Sequence, residues 1–131
     1  MKMKNPKLEG MDLRTVKVEI NMKLPSLNEY VDVCRANRYK AAAMKRNLEA
    51  DIGMFIGRLP RFEKPIRIHF RWIEGNKRRD YDNVAFAKKF ILDALVKRGK
   101  LKDDNRNFVT AFTDTFAYGD HTKVILYIEE V

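Results

Sequence analysis

The chain has 131 residues, 45% of them apolar and 34% charged, and its 27 Lys and Arg against 18 Asp and Glu leave a net charge of +9. That length suits one domain with its own core and is too short for two ordinary ones. The composition excludes a disordered chain, no apolar run reaches the 18 residues that would suggest a membrane span, and the positive excess points to a polyanionic partner, nucleic acid first. Cys34 is the only cysteine, so neither an intrachain disulfide nor a cysteine-built zinc site can form.

Residues 1–14, MKMKNPKLEGMDLR, carry charge without the apolar stretch of a signal peptide. They read as a flexible lead-in to a domain over residues 15–131, which points to the cytoplasm. Val16, Val18, Ile20 and Met22 then alternate with polar residues, the period of a strand with one buried face. The stretch KLPSLNEYVDVCRANRYKA has no clean period and reads as a long ordered loop. From about Ala41 to Leu59 apolar residues fall three or four apart, a helix ended by Pro60. Ile66, Ile68, Phe70 and Trp72 alternate with Arg67, His69 and Arg71 in a second strand.

After the turn residues of EGNKRRDYDN, the repeat of Val84, Ala87, Ile91, Ala94 and Leu95 predicts one second helix running to about Arg98 and stopped by Gly99. FVTAFTDTFAY and TKVILYIEE, joined across a Gly-Asp turn, predict a hairpin. The order β-α-β-α-β-β fits a single-domain α+β fold: one mixed sheet with two main helices packed mainly on one face.

The chemistry concentrates between residues 77 and 105. Asp80 and Asp82 flank one residue, and Asp103 and Asp104 follow in KDDN. Paired carboxylates of this kind suit Mg²⁺, a hard cation that takes oxygen donors, and a donor from a second segment would make such a site selective. Asp103 and Asp104 can return toward the start of the helix only if the strand after them runs beside strand two. Near a phosphodiester such a metal site is nuclease chemistry, with a nearby lysine stabilising developing charge. The same residues also read as a helix cap and a turn. On a 100° wheel Asp82, Phe86, Lys89 and Asp93 lie within roughly 40° of the direction opposite Val84, so they could share one place.

Lys77, Arg78 and Arg79, directly before the carboxylates, suit phosphate contacts. Asn28, Tyr30, Arg35, Arg38, Tyr39 and Lys40 interleave aromatics with cations in the manner of a nucleic-acid surface. Phe86 suits a junction wedge, a dimer contact or the core. His69 and His121 lack a paired His or Cys and read as neither metal ligand nor general base.

RRDYDN, the KKFILDAL that follows it, and then LKDDN together resemble the RusA-type Holliday-junction resolvases, and LPSLNEY is similar to the loop after that family's first strand. The resemblance covers roughly residues 16–130. It implies a homodimeric, Mg²⁺-dependent endonuclease, with Mn²⁺ as a substitute, of a kind often encoded by prophages. Such enzymes act in DNA recombination and repair and cut four-way junctions by paired nicks. It further implies Asp80, Asp82 and Asp104 as the essential carboxylates, with Asp103 beside them, and Lys89 as the catalytic lysine. Lys88 is the alternative lysine and a DNA contact. The spacing from Asp82 to Lys89 is three residues longer than the family's usual D-N-x-x-K. Without the family, the residues also fit a non-catalytic, basic nucleic-acid-binding protein whose acidic cluster is only a cap and a turn.

Overall fold

A computed structural model describes residues 15–131; the expected lead-in over residues 1–14 lies outside them. The elements run β1 (Thr15–Ile20), α1 (Leu27–Ala36), α2 (Arg38–Ile56), β2 (Ile66–Glu74), α3 (Tyr81–Ala85), α4 (Lys88–Lys97), β3 (Val109–Tyr118) and β4 (Lys123–Glu130). The strands form one mixed sheet in the order β1-β4-β2-β3, so the fold is α+β. No helix among the described residues is long and apolar enough to cross a membrane.

The period of two in β2 decides the layering. Ile66, Ile68, Phe70 and Trp72 are all buried and share one core with Val124, Leu126 and Ile128 of β4, Ile52 and Ile56 of α2, and Phe90, Ile91 and Leu95 of α4. Each such side chain contributes about 1.5–3 kcal/mol by leaving water. The alternate residues Arg67, His69 and Arg71 fall on the sheet's other face, where His69 bridges the hydroxyls of Thr113 and Thr115. The helices therefore pack on one face only.

Three expectations are corrected. First, residues 27–36 are a helix and not a loop: Ser26 accepts from the Glu29 N–H at 3.2 Å while Glu29 accepts from the Ser26 N–H at 2.8 Å, a capping box that starts α1. Asn37 then separates α1 from α2 and caps the latter, its side chain accepting from the Tyr39 and Lys40 N–H groups. Secondly, the single helix expected from Val84 to Arg98 is broken between α3 and α4. The N–H groups of Ala87, Lys89 and Phe90 bond carbonyls three residues back, a tighter wind of about 120° per residue that shifts the helical phase.

Thirdly, β3 and β4 do not form a hairpin. β2 lies between them, parallel to β3 with Phe70 opposite Asp114, and antiparallel to β4 with Phe70 opposite Leu126. The short connection carries the chain over the end of β2, where the Gly119 N–H bonds the Glu74 carbonyl at 3.0 Å. Skipping one strand requires a span of roughly 10 Å, within reach of a few extended residues. A Cβ on Gly119 would sit 3.0 Å from the Ile73 side chain, so the crossing keeps the smallest residue at its tightest point.

Candidate active site

The segment carrying the paired carboxylates leaves the end of β2 and is fastened by Arg79. Arg79 Nε and Nη2 each donate to a Glu74 oxygen at 2.8 Å, and Nη1 donates to the Leu24 carbonyl at 2.8 Å. Glu29 of α1 lies 3.5 Å away. The Glu74 carboxylate holds the Arg79 pKa above its ordinary value. Arg79, expected among the DNA contacts, thus turns inward, whereas Lys77 and Arg78 are exposed. An inward, bidentate arginine directly before Asp80 fixes where the next turn begins.

Asp80 occupies the N-cap position of α3 with extended backbone, yet its side chain makes no capping hydrogen bond. Asp82 lies in the first turn, where the helix dipole favours a negative charge. Both are exposed, and among the described residues neither has an ion-pair partner. Between them the Tyr81 ring stacks on Phe116 of β3, 4.1 Å between centroids and 9° from parallel. The pair is therefore set over the end of β3.

The two candidate lysines diverge. Lys88 has 19% of its side chain exposed and reaches β3, its Nζ 2.8 Å from Asp114 Oδ2 and 4.7 Å from the Phe112 ring centre. Asp114 Oδ1 in turn accepts from Trp72 Nε1 at 2.8 Å. Lys89, at 59% exposure, leans toward Asp93 at 3.8 Å. Asp114 lies two residues before Phe116 on the same face of β3, so the Lys88 ammonium and the Tyr81 ring occupy neighbouring positions, roughly 7 Å apart along the strand. Lys88, not Lys89, stands on the side of the carboxylate pair.

Asp103 and Asp104 lie elsewhere. Asp103 accepts from the Asp104 N–H at 2.7 Å and from the Asn105 amide at 3.1 Å, and the Val109 N–H that opens β3 bonds the Asn105 carbonyl. β3 does run beside β2, as a shared site required, but parallel to it, so its first residue pairs with the first of β2. From Val109 to Phe116, beneath Tyr81, the strand rises roughly 23 Å. Within this chain Asp104 and the Asp80–Asp82 pair therefore sit at opposite ends of β2. Among the described residues no three His, Cys, Asp or Glu side chains are grouped to hold one ion.

The interleaved residues upstream are carried by α1 and α2 and the turn between them. Tyr30 is half-buried, its ring 5.7 Å from Phe86 and 5.3 Å from Phe90, so both Tyr30 and Phe86 pack against the core. The Asn28 N–H donates to Asn83 Oδ1 at 3.1 Å, tying α1 to α3. Arg35, Arg38, Tyr39 and Lys40 are exposed, with the Arg38 guanidinium 5.2 Å from the Tyr39 ring centre. Asp93 faces α2, where Lys45 lies 3.3 Å away, so the common face drawn for Asp82, Phe86, Lys89 and Asp93 is divided by the phase shift.

Sequence reasoning passed over Asp114, Tyr81, Phe112 and Tyr118. The available signal was phase: in TFAY and the residues before it, Asp114 shares its alternation with Phe112, Phe116 and Tyr118, a lone charge in an aromatic row. Together the elements present two uncommitted carboxylates, exposed cations at Lys77 and Arg78, and an anchored ammonium at Lys88. This arrangement suits binding a phosphate-bearing polymer and a hard cation. In comparisons with known proteins, no family model matches the chain and no curated protein sequence matches it.

Proposed function

We propose that this protein is a Mg²⁺-dependent endonuclease that resolves four-way DNA junctions by paired nicks. The observation that carries the reading is the state of Asp80: at the N-cap position, where a carboxylate ordinarily bonds the first turn, it makes no capping bond and stays open beside Asp82. Mg²⁺ keeps several waters and is commonly bound by one or two carboxylates plus substrate phosphates, and the open oxygens of Asp80 and Asp82 fit that demand. The resemblance of RRDYDN and LKDDN supplies the junction specificity of the proposal.

In this mechanism Lys77 and Arg78 hold backbone phosphates, and Arg79 and Glu74 keep the carboxylate turn in place. Lys88, tethered to Asp114, adds positive charge beside the phosphate and uses its remaining donors there. Mg²⁺ held by Asp80 and Asp82 would polarise the phosphoryl group and lower the pKa of bound water. Two nicks related by symmetry call for two sites, and a cytoplasmic homodimer with an isologous contact would provide them.

The placement of Asp104 and the pair at opposite ends of β2 favours a second reading, a non-catalytic basic nucleic-acid-binding protein. Synthetic four-way junction, flap and linear duplex, each incubated with protein in Mg²⁺ and in EDTA, separate the two. Paired nicks in the junction that need Mg²⁺ and vanish in Asp80→Asn support the nuclease. Binding of all three without a nick supports the alternative.

A further inference from the structure

We propose that the helix-side row of β3 is a ledge on which the unpaired bases of a DNA strand stack. The inference rests on the nucleic-acid partner of the proposed function but needs no cleavage. Phe112, Asp114, Phe116 and Tyr118 project from one face of an edge strand, each about 7 Å from the next, a row of roughly 20 Å. Three aromatic rings on it remain open: Phe112 is 46% exposed, Tyr118 47% and Tyr81, stacked on Phe116, 53%.

The inner side of two of these rings is held. Phe112 meets Phe70 edge-on at 6.1 Å and Tyr81 lies flat on Phe116, which keeps its other face outward. Rings fixed in this way lose little freedom when a base stacks on them. A cation lies over one face of two of the rings, Lys88 at 4.7 Å from the Phe112 centre and Lys77 at 5.1 Å from the Tyr118 centre, where it can meet the phosphates joining successive bases while the base takes the opposite face. Every base has a π-face, so such a row accepts single-stranded sequence of any composition but not a closed duplex, whose bases are already stacked. Its position beside Asp80 and Asp82 would let it grip the unpaired nucleotides at a branch point.

The test compares a 20-nucleotide oligothymidine with an abasic oligomer of the same length, both in Ca²⁺, for the parent protein and for Phe112→Leu, Tyr118→Leu and Lys77→Gln. Leucine keeps apolar bulk and removes the π-face. The parent should bind oligothymidine at least 10-fold tighter than the abasic strand. Each leucine variant should lose about 5- to 30-fold for oligothymidine alone, with unchanged salt dependence. Lys77→Gln should weaken both ligands and reduce the salt slope by about one. Circular dichroism checks that each variant is folded. Equal binding of the two oligomers by the parent, or leucine variants that bind oligothymidine as the parent does, overturns the ledge while leaving junction nicking intact. Leucine variants that change the sedimenting species instead would make the row a contact between copies of the chain, also against the proposal.

Discussion

Arg78 and Arg79 are neighbours with opposite environments, and mutation should separate them. Arg79 is held along one edge by both oxygens of Glu74 and its side chain is largely buried, so Arg79→Ala leaves an unpaired carboxylate inside and should cost about 3 kcal/mol in chemical denaturation. Arg78→Ala should change stability by less than about 0.5 kcal/mol and weaken DNA binding instead. For Asp82→Asn, thermal stability should hold within about 1 kcal/mol and DNA binding in Ca²⁺ should persist, while nicking in Mg²⁺ falls at least about 100-fold. An unchanged nicking rate would reduce Asp82 to a first-turn charge. Asp114→Asn keeps an oxygen for the Trp72 N–H and removes the charge facing Lys88. It should cost about 1 kcal/mol and slow nicking about 10-fold; full activity would make Lys88 a tie between α4 and β3. The carboxylate pair was legible in the sequence because its spacing is local. The inward turn of Arg79 was not, since Glu74, Leu24 and Glu29 come to it from three directions that only the fold creates.

At the level of single elements, the capping box of α1 has a pH signature. The Ser26 N–H first, then its hydroxyl and the nearby Arg79, hold the Glu29 pKa below the ordinary 4.5, against the opposing effect of partial desolvation. A depressed carboxylate stabilises the fold above its ordinary pKa, and that contribution is lost as pH falls through the lowered folded-state value. Melting temperature should therefore drop between pH 6 and pH 3 by more in the parent than in Glu29→Gln, which retains the hydrogen bond without the charge. Equal drops would place the acid sensitivity elsewhere. The motif itself, Ser26 to Glu29 in SLNE, stood in the sequence, but Asn28 and the Pro25 before it masked a helix whose apolar face is weak, with no fully buried residue. The helix expected from about Ala41 to Leu59 and the later part of the one expected to run to Arg98 were legible from their spacing, although α2 ends at Ile56, before Pro60. The break at Phe86 and Ala87 was not, because nothing in NVAFAKK forbids a continuous helix; docking of Lys88 on β3 and of Phe86 on Tyr30 accompanies the change of phase.

Across the whole molecule, alternation identified all four strands and the α+β class, but alternation carries no information on which strands are neighbours. The short loop over residues 119–122 favoured a hairpin locally. The observed arrangement instead surrounds β2, whose inner face is apolar at each alternate position from Ile66 to Trp72, with strands on both sides. A fragment of residues 15–122 should show no cooperative melt, because it lacks β4, the one strand that joins β1 to β2. Adding a peptide of residues 119–131 should restore part of the native signal; a cooperative melt of the fragment alone would show that β4 is dispensable.

The passage over the end of β2 also sets a timetable. β1, the four helices and the β2–β3 pair can all take form early, but the two halves of the sheet have no common seam until residues 123–130 arrive and slide between them. Until then β1 and β2 each offer an unpaired edge and an apolar face to any other nascent chain, the condition under which polypeptides associate before they fold. Yield in the cell should thus depend on how quickly the stretch after Tyr118 is translated, and slow codons placed there should shift protein into aggregates while the same codons placed within residues 1–14 should not.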